Sequence, residues 1–270
     1  MRIQIHHRTS YTYDTPISSI IQNLRLTPRN HESQNVRSWR IDFDHDVLLQ
    51  KREDAFGNIV HMLSLNDPLD SLTISVDGEV ETQETHGVIN GTYERFPVGL
   101  YLRATPLTEA NAAIVSFAKG VVTKTDPLEQ VHQLLEGLFK EMNFENGPTD
   151  ATTTAAEAFE QRRGVCQDIS HIFLASARSL GIPARYVGGH MFRQDGEIQQ
   201  NAGHAWVEAH VPDLGWVGLD PTNGISQSEA YVRIAVGLDY LGAAPVRGSR
   251  QGVAEESLDV HVAVGQAGQQ

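Results

Sequence analysis

The stretch RRGVCQDISHIFLASARSLGIPARYVGGH, residues 162–190, predicts a helix that is followed at once by a strand. The predicted helix runs from about Cys166 to Leu180 and ends at Gly181 and Pro183, which interrupt helical geometry. One apolar stripe recurs along it at helical spacing: Ile169, Phe173, Ala177 and Leu180. The run ARYVGGHMF that follows is typical of a strand. A buried helix beside a strand is therefore the predicted centre of the fold.

Three further helices are predicted before this segment. TEANAAIVSFAKG takes Thr108 as its N-cap, and DPLEQVHQLLEGLFKEMNF takes Asp126 as its N-cap with Pro127 at the first helical position. TAAEAFEQRRG begins with a capping box, in which Thr154 is followed three residues later by Glu157. These signals place the helical part of the chain in its middle third.

Strands are predicted on both sides of the helices. Over residues 1–86 the chain reads as all-β, because RIQIHHRTSYTY alternates with period 2 and Gly57-Asn58 and Asp77-Gly78 are typical of turns. Strands return in HAWVEAHV, WVGLD, YVRIAVG and LDVHVAV, and the closing GQAGQQ predicts a frayed end. We therefore predict an α+β fold with two domains: a β-rich domain over 1–100 and a catalytic domain over 101–270.

Composition and charge argue against two classes of partner. The 270 residues include 21 Lys+Arg and 34 Asp+Glu, which gives a formal charge of −13. Nucleic acids and anionic membranes are bound through clustered positive charge, so neither is predicted as a partner. The N-terminal residues lack the apolar segment of a signal peptide, and no apolar run approaches the roughly 20 residues that span a bilayer. We predict a cytoplasmic protein without a cofactor, and the oligomeric state stays open.

Cys166 is the only cysteine in the sequence, and its position favours reactivity. A lone cysteine is most often a small buried residue of the core. The first turn of a helix, however, surrounds a thiol with unpaired backbone N–H groups and the positive end of the helix dipole, which favour the thiolate. The same N–H groups can stabilise an oxyanion, and Gly164 leaves room for a substrate backbone. Cys166 is therefore a candidate nucleophile.

A thiolate nucleophile needs a base, and the base needs a residue that orients it. One face of HAWVEAHV is apolar, formed by Ala205, Val207, Ala209 and Val211. His204 lies on the other face of this strand, and Asp220 ends the next strand, WVGLD. If Trp216 pairs with His210, Asp220 falls on the face of His204, whereas a loop one residue shorter reverses the face. We predict the first register, and otherwise an Asp before a proline is most often a turn residue.

Other polar residues are given structural roles. Gln167 and Asp168 lie in the first turn of the helix, where solvent contact and dipole stabilisation are more frequent than catalysis. Packing is preferred over a substrate-lining role for three residues: His171, His190 and Trp206. His6 and His7 are adjacent on a predicted strand and so point to opposite faces, which argues against a shared metal ion.

Together these motifs resemble the bacterial transglutaminase-like superfamily, whose members include proteins described as cysteine proteases. The resemblance rests on the segment 162–190, on HAWVEAHVPDLGWVGLDPTNG, and on the order Cys, His, Asp. YTYDTPISSIIQNLRLTPR and DAFGN are similar to the N-terminal β region of the superfamily, and VRIAVGLDY and PVRG are similar to its C-terminal portion. Ile169 departs from an aromatic residue that is typical there, which we expect to affect local packing only.

The resemblance implies a papain-like core, in which a helix with the cysteine packs on an antiparallel sheet with the histidine and aspartate. It implies Cys166 as nucleophile, His204 as general base and acid, and Asp220 as the residue that orients His204. The implied reaction is acyl transfer from a peptide or protein amide, to water in a peptidase or amidase, or to an amine in a transglutaminase. Hydrolysis is favoured because it makes fewer demands on the site.

Three alternatives keep these residues but change the function. The Cys, His and Asp side chains can hold zinc, although zinc sites usually need a further ligand and the sequence has no second cysteine. The fold can serve as a non-catalytic binding module, in which case the thiol reacts with iodoacetamide like a free cysteine. Acyl transfer from a thioester such as acetyl-CoA uses the same triad, but nothing in the sequence marks a CoA pocket.

Overall fold

The structure is a computed structural model that describes residues 1–268. Its N-terminal part is all-β, as predicted. The strands there are β1 (Arg2–Ile17), β2 (Ser19–Thr27), β3 (Gln34–Phe43), β4 (Leu48–Glu53), β5 (Ile59–Leu65), β6 (Leu69–Thr82) and β7 (Val88–Ile89). The turn at Gly57-Asn58 is confirmed, since it joins β4 to β5 and Gly57 has a φ of 80°.

The turn predicted at Asp77-Gly78 is wrong. Both residues lie inside the continuous strand β6, where Asp77 pairs with His6 of β1 and with Arg40 of β3. Gly78 serves packing instead, because a Cβ at that position would lie 2.1 Å from the ring of Trp39. Pairing on both sides of β6 outweighs a local turn signal.

The helices follow in the middle of the chain. They are two 3-10 helices, Val98–Leu102 and Pro106–Thr108, and then α1 (Ala112–Val121), α2 (Pro127–Glu141), α3 (Ala155–Gln161), α4 (Cys166–Ser179) and α5 (Tyr240–Ala243). The predicted caps of α2 and α3 are confirmed. Thr108 as a cap of α1 is wrong: Asn111 accepts a hydrogen bond from Ile114 N there, and Thr108 ends a 3-10 helix and accepts a hydrogen bond from Arg178.

The remaining strands interleave with these helices and continue to the C-terminal end. They are β8 (Asn143–Phe144), β9 (Arg163–Gly164), β10 (Ala184–Met191), β11 (Gln199–Gln200), β12 (His204–Val211), β13 (Gly215–Asp220), β14 (Ile225–Ser226), β15 (Tyr231–Gly237), β16 (Val246–Gln251) and β17 (Glu256–Gln266). The central antiparallel sheet has the order β14-β13-β12-β10-β15, and β7 pairs with β13 at its edge.

Helix α4 is the centre of the core. Its eleven residues from Asp168 to Arg178 are all buried, a wider surface than the single predicted stripe. Helices α1, α2 and α3 pack against it, and its sheet-facing side meets β10 and β12. The predicted apolar face of β12 belongs to this core. The other face of β12 is buried too, because Trp206 and Glu208 are fully covered. Both faces of this sheet are therefore shielded from solvent around the helix.

Two sheets of the N-terminal part take strands from the end of the chain. One has the order β11-β17-β1-β6-β3 and the other β16-β2-β5-β4. The prediction of a frayed end over GQAGQQ is wrong for Gly265 and Gln266, because both pair with β1. The last two residues of GQAGQQ lie outside the described part of the chain. The domain boundary at residue 100 stays a prediction. Within residues 1–268 no helix is long and apolar enough to cross a membrane.

Candidate active site

Cys166 begins helix α4 and is held there by a buried turn. The Asp168 carboxylate accepts hydrogen bonds from Val165 N at 2.8 Å and from Thr149 Oγ1 at 2.6 Å. A Cβ on Gly164 would lie 2.7 Å from this carboxylate, so only glycine fits before the turn. Burial raises the pKa of Asp168, while its two donors oppose that shift. Asp168 thus fixes the approach of the chain to the helix, a more specific role than the dipole contact predicted for it.

The hairpin β12–β13 has the predicted register. His210 pairs with Trp216 and Val211 pairs with Gly215, so the strands continue in phase up to Asp220. As a consequence His204 and Asp220 meet on one face, with His204 Nε2 donating to Asp220 Oδ2 at 2.6 Å. A slip of one residue would have moved the carboxylate to the opposite face.

Asp220 is fully buried and accepts five hydrogen bonds. Its Oδ2 takes the imidazole, the side-chain amide of Asn223 at 2.7 Å and the hydroxyl of Tyr231 at 2.7 Å. Its Oδ1 takes the backbone N–H groups of Thr222 and Asn223. Burial favours the neutral acid, but the charge on His204 and these donors outweigh it and lower the pKa of Asp220. The carboxylate is therefore ionised and fixed in orientation.

The imidazole of His204 is a strong base in this setting. Burial lowers its pKa, but the charge and hydrogen bond of Asp220 and the nearby Cys166 side chain raise it to about 10. Because Nε2 is committed to Asp220, Nδ1 is the nitrogen left for the thiol. The ring also stacks on Trp206, with 6.2 Å between centroids and 22° between planes. The imidazolium form is thus favoured at neutral pH beside the thiol.

Cys166 and His204 open into one large cavity of ≈ 650 Å³. The cysteine is half-buried, so the cavity gives substrate access to the sulfur. Walls come from three directions: Gln167 and Tyr186 belong to the helix and central sheet, Asn223 to the turn after Asp220, and Thr9 to strand β1 of the N-terminal part. The N-terminal β region therefore contributes directly to the cleft.

Several residues around the site were missed or given other roles by the sequence analysis. The sequence analysis gives Tyr231 and Asn223 no part in the site, yet both donate hydrogen bonds to the Asp220 carboxylate. No local sequence signal indicates this contact, because Tyr231 lies on β15 and Asp220 on β13, two strands that are not neighbours in the sheet. His171 has the predicted packing role and accepts a hydrogen bond from Tyr240 N. Within residues 1–268 no group of three or more His, Cys, Asp or Glu is arranged to hold a metal ion.

Comparison with known families agrees with this geometry. A model of the bacterial transglutaminase-like N-terminal region matches residues 3–81, and a model of the transglutaminase-like superfamily matches residues 115–221. The second span contains Cys166, His204 and Asp220. The chain therefore carries a transglutaminase-like core. The predicted family and its N-terminal β region are both confirmed.

Individual relatives of this transglutaminase-like chain extend the comparison. An uncharacterized protein of Mycobacterium leprae is 29% identical over 277 residues, which cover 97% of this chain and 98% of that protein. A Cytophaga hutchinsonii crystal structure named a "putative cysteine protease" is 19% identical, with a TM-score of 0.81 over 100% of this chain and 92% of that chain. This similarity confirms the predicted α+β fold with its papain-like core.

A shorter similarity concerns a named enzyme. The protein-glutamine gamma-glutamyltransferase of Pseudomonas aeruginosa is 33% identical over 105 residues, which are 33% of this chain but only 15% of that protein. The similarity is therefore confined to a part of both chains.

Proposed function

We propose that the protein is a thiol-dependent acyl-transfer enzyme of the amidase or peptidase type, with Cys166 as nucleophile, His204 as base and acid, and Asp220 as the orienting residue. The supporting geometry is a single cavity lined by both Cys166 and His204, in which a buried carboxylate holds the imidazole at 2.6 Å. A peptide or protein amide is the proposed substrate, as the superfamily resemblance implies. Hydrolysis is the proposed outcome.

The first half-reaction forms a thioester. Sγ of Cys166 bonds to the carbonyl carbon of the amide, and the carbonyl electron pair moves to the oxygen. The first backbone N–H groups of α4 have no acceptor inside the helix and can bind this oxyanion. When the C–N bond breaks, His204 Nδ1 gives its proton to the leaving amine. The raised pKa of His204 supports this role, because the imidazolium is present at neutral pH to supply the proton.

The second half-reaction releases the acyl group. His204, now neutral, takes a proton from water as the water oxygen attacks the thioester carbon. The C–S bond then breaks, the carboxylic acid leaves, and the thiolate–imidazolium pair is restored. Asp220 keeps the ring oriented throughout, because five hydrogen bonds fix its own position.

Transfer to an amine is a second candidate for the same site. It is favoured by the similarity to a gamma-glutamyltransferase, which covers 33% of the chain. In that reaction a primary amine replaces water in the second half-reaction, and the product is a new amide.

Mass spectrometry of the intact protein tests the proposal. Wild type and the Cys166→Ala variant are incubated with glutamine-containing peptides and with peptide esters. We expect the mass of one acyl group on wild type and none on the variant, because the chain has a single cysteine. Equal labelling of both proteins, or a wild type that no donor acylates, would contradict the proposal. Adding a primary amine and measuring acid against amide product separates hydrolysis from transfer.

A further inference from the structure

The apolar face of strand β17 continues from the core into the cleft. Val262 and Val264 are buried in the core around α4. Val260 is half-buried at the edge of that core, and Leu258 is 54% exposed. These four side chains lie on one face of the strand, because they are spaced two residues apart. Val260 and Leu258 also line the cavity that holds the proposed catalytic residues. The apolar row thus passes from the protein interior into the substrate cavity.

Residues of other segments extend this row into one wall of the cavity. Tyr11 of β1 pairs with Leu258 across the sheet, so both side chains lie on the same side of it. Val246, the first residue of β16, packs against the same hydrophobic cluster as Tyr11. We call six residues of the cavity lining the apolar wall: Tyr11, Tyr240, Pro245, Val246, Leu258 and Val260. None of the six is an acidic or basic residue.

Tyr240 places the apolar wall within reach of the nucleophile. Its backbone N–H donates to His171 Nε2 at 3.0 Å, and its ring centroid lies 6.2 Å from that of Tyr186, which lines the same cavity. On α4, His171 follows Cys166 by five residues, which corresponds to about 7.5 Å along the helix axis. An acyl chain of about six carbon atoms, with bonds of about 1.5 Å, spans this distance from the sulfur.

The apolar wall lies far from the charge that the cavity does contain. Arg193 is the one Asp, Glu, Lys or Arg in the described cavity lining, and it already pairs with Asp195. It lies two residues beyond Met191, whose sulfur is 3.6 Å from the side-chain nitrogen of Asn223. Met191 and Tyr186 are five residues apart on β10, which is roughly 16 Å along the strand. A charged group at the apolar wall would therefore meet no opposite charge among the residues that line it.

We propose that the apolar wall is a subsite for the acyl group, so that the acyl donor carries a large hydrophobic side chain near the carbonyl that Cys166 attacks. Such a side chain would cover the exposed part of Leu258, and removing apolar surface from water is favourable in proportion to its area. A single exposed leucine is common on protein surfaces, but this one continues an apolar wall inside a concave site. A carboxylate or an ammonium group would lose hydration there without gaining an opposite charge and is disfavoured. The subsite rests on the proposed acyl-transfer function and names the class of its substrate.

Three p-nitrophenyl esters test the selectivity of the subsite. They are the acetate, the hexanoate and the mono-ester of adipic acid, which has the length of the hexanoate but ends in a carboxylate. We expect wild type to prefer the hexanoate over the acetate in kcat/KM by about tenfold or more, since one methylene in an apolar pocket is already worth about tenfold. The adipate ester should lose most of this gain. A hexanoate no better than the acetate, or an adipate ester as good as the hexanoate, would overturn the subsite.

Substitutions of Leu258 should shift these preferences. Leu258→Ala should lower the ratio of hexanoate to acetate kcat/KM about threefold, and Leu258→Lys should raise the ratio of adipate to hexanoate kcat/KM about tenfold. Leu48→Lys is the matched control, because Leu48 is an exposed leucine on β4 that does not line the cavity. Its two ratios should equal those of wild type. Unchanged ratios in both folded Leu258 variants, or an equal change in Leu48→Lys, would overturn the subsite.

A binding measurement separates failure of the subsite from failure of the catalytic proposal. Hexanamide is titrated into the Cys166→Ala variant while the methyl resonances of Val246 and Val260 are followed by NMR. We expect saturable shifts of both residues, and Leu258→Lys in the same background should weaken binding about threefold or more. Absence of saturable shifts overturns the subsite even if esters acylate Cys166. Saturable shifts without acylation by any ester would leave the subsite standing and refute the enzyme.

Discussion

Replacing Asp220 by asparagine should change the rate at which Cys166 reacts at a given pH. The pKa of His204 is raised from 6.5 to about 10, and the charge of Asp220 is the main favourable contribution to that rise. This difference corresponds to about 5 kcal/mol of stabilisation of the imidazolium. Asparagine is nearly isosteric with aspartate but neutral. In the variant, little therefore opposes the effect of burial, which lowers the pKa of His204. We expect the imidazole of Asp220→Asn to lose its proton near or below pH 6.5, and the thiolate to lose its charged partner.

Alkylation by iodoacetamide measures this change cleanly, because the chain has one cysteine and the mass of the intact protein reports its modification. Rates are measured from pH 5 to pH 10. Up to about pH 10 the imidazolium of His204 persists in wild type and stabilises negative charge on the neighbouring sulfur, so wild type should react faster than Asp220→Asn. We expect the difference in rate to be at least about tenfold at pH 7 and to shrink toward pH 10, where His204 of wild type also loses its proton.

The control is Asp239→Asn, which removes another largely buried carboxylate. Asp239 caps α5 by accepting a hydrogen bond from Gly242 N at 3.1 Å, and the side-chain oxygen of asparagine can accept the same bond, so the variant should stay folded. The alkylation profile of this variant should match that of wild type. If Asp220→Asn also kept the wild-type profile while remaining folded, Asp220 would not control the charge of His204, and the proposed pairing would be wrong.

Three further predictions concern the surroundings of the site. Tyr231→Phe removes one of the donors to Asp220 without emptying the space of the ring; we expect acylation of Cys166 to slow about threefold to tenfold with the melting temperature nearly kept. Glu208→Gln removes the buried carboxylate that Arg185 and Arg233 share, so that Arg185 keeps only Glu94, and urea unfolding should show a loss of about 3 kcal/mol. Three buried histidines are held neutral by burial: His7, His171 and His190. In the unfolded chain these histidines are protonated below about pH 6.5, whereas in the folded chain they stay neutral down to about pH 4. Between these pH values the free energy of unfolding should therefore fall by about 1.4 kcal/mol per histidine per pH unit. Equal urea midpoints at pH 7 and pH 5 would contradict this prediction.

The sequence by itself determined those features of the protein that depend on residues close together in the chain. Helices α2 and α3 begin where Asp126 and Thr154 predict them, because a cap acts within one turn of chain. The register of β12 and β13 follows from alternation and loop length, which is why the sequence is enough to predict that His204 and Asp220 meet. The position of Cys166 at the start of a helix is local in the same sense.

Contacts between distant parts of the chain were decided only by the tertiary structure. Ile3 pairs with Gln266, and this pairing of β1 with β17 brings the N-terminal strand to the cleft and turns His7 and Thr9 toward it. Tyr231 likewise reaches Asp220 from a strand that is not its neighbour in the sheet. The physical reason is that strand pairing is set by the burial of whole faces and by backbone hydrogen bonding across the sheet. These energies depend on segments far apart in sequence, and no local pattern encodes them.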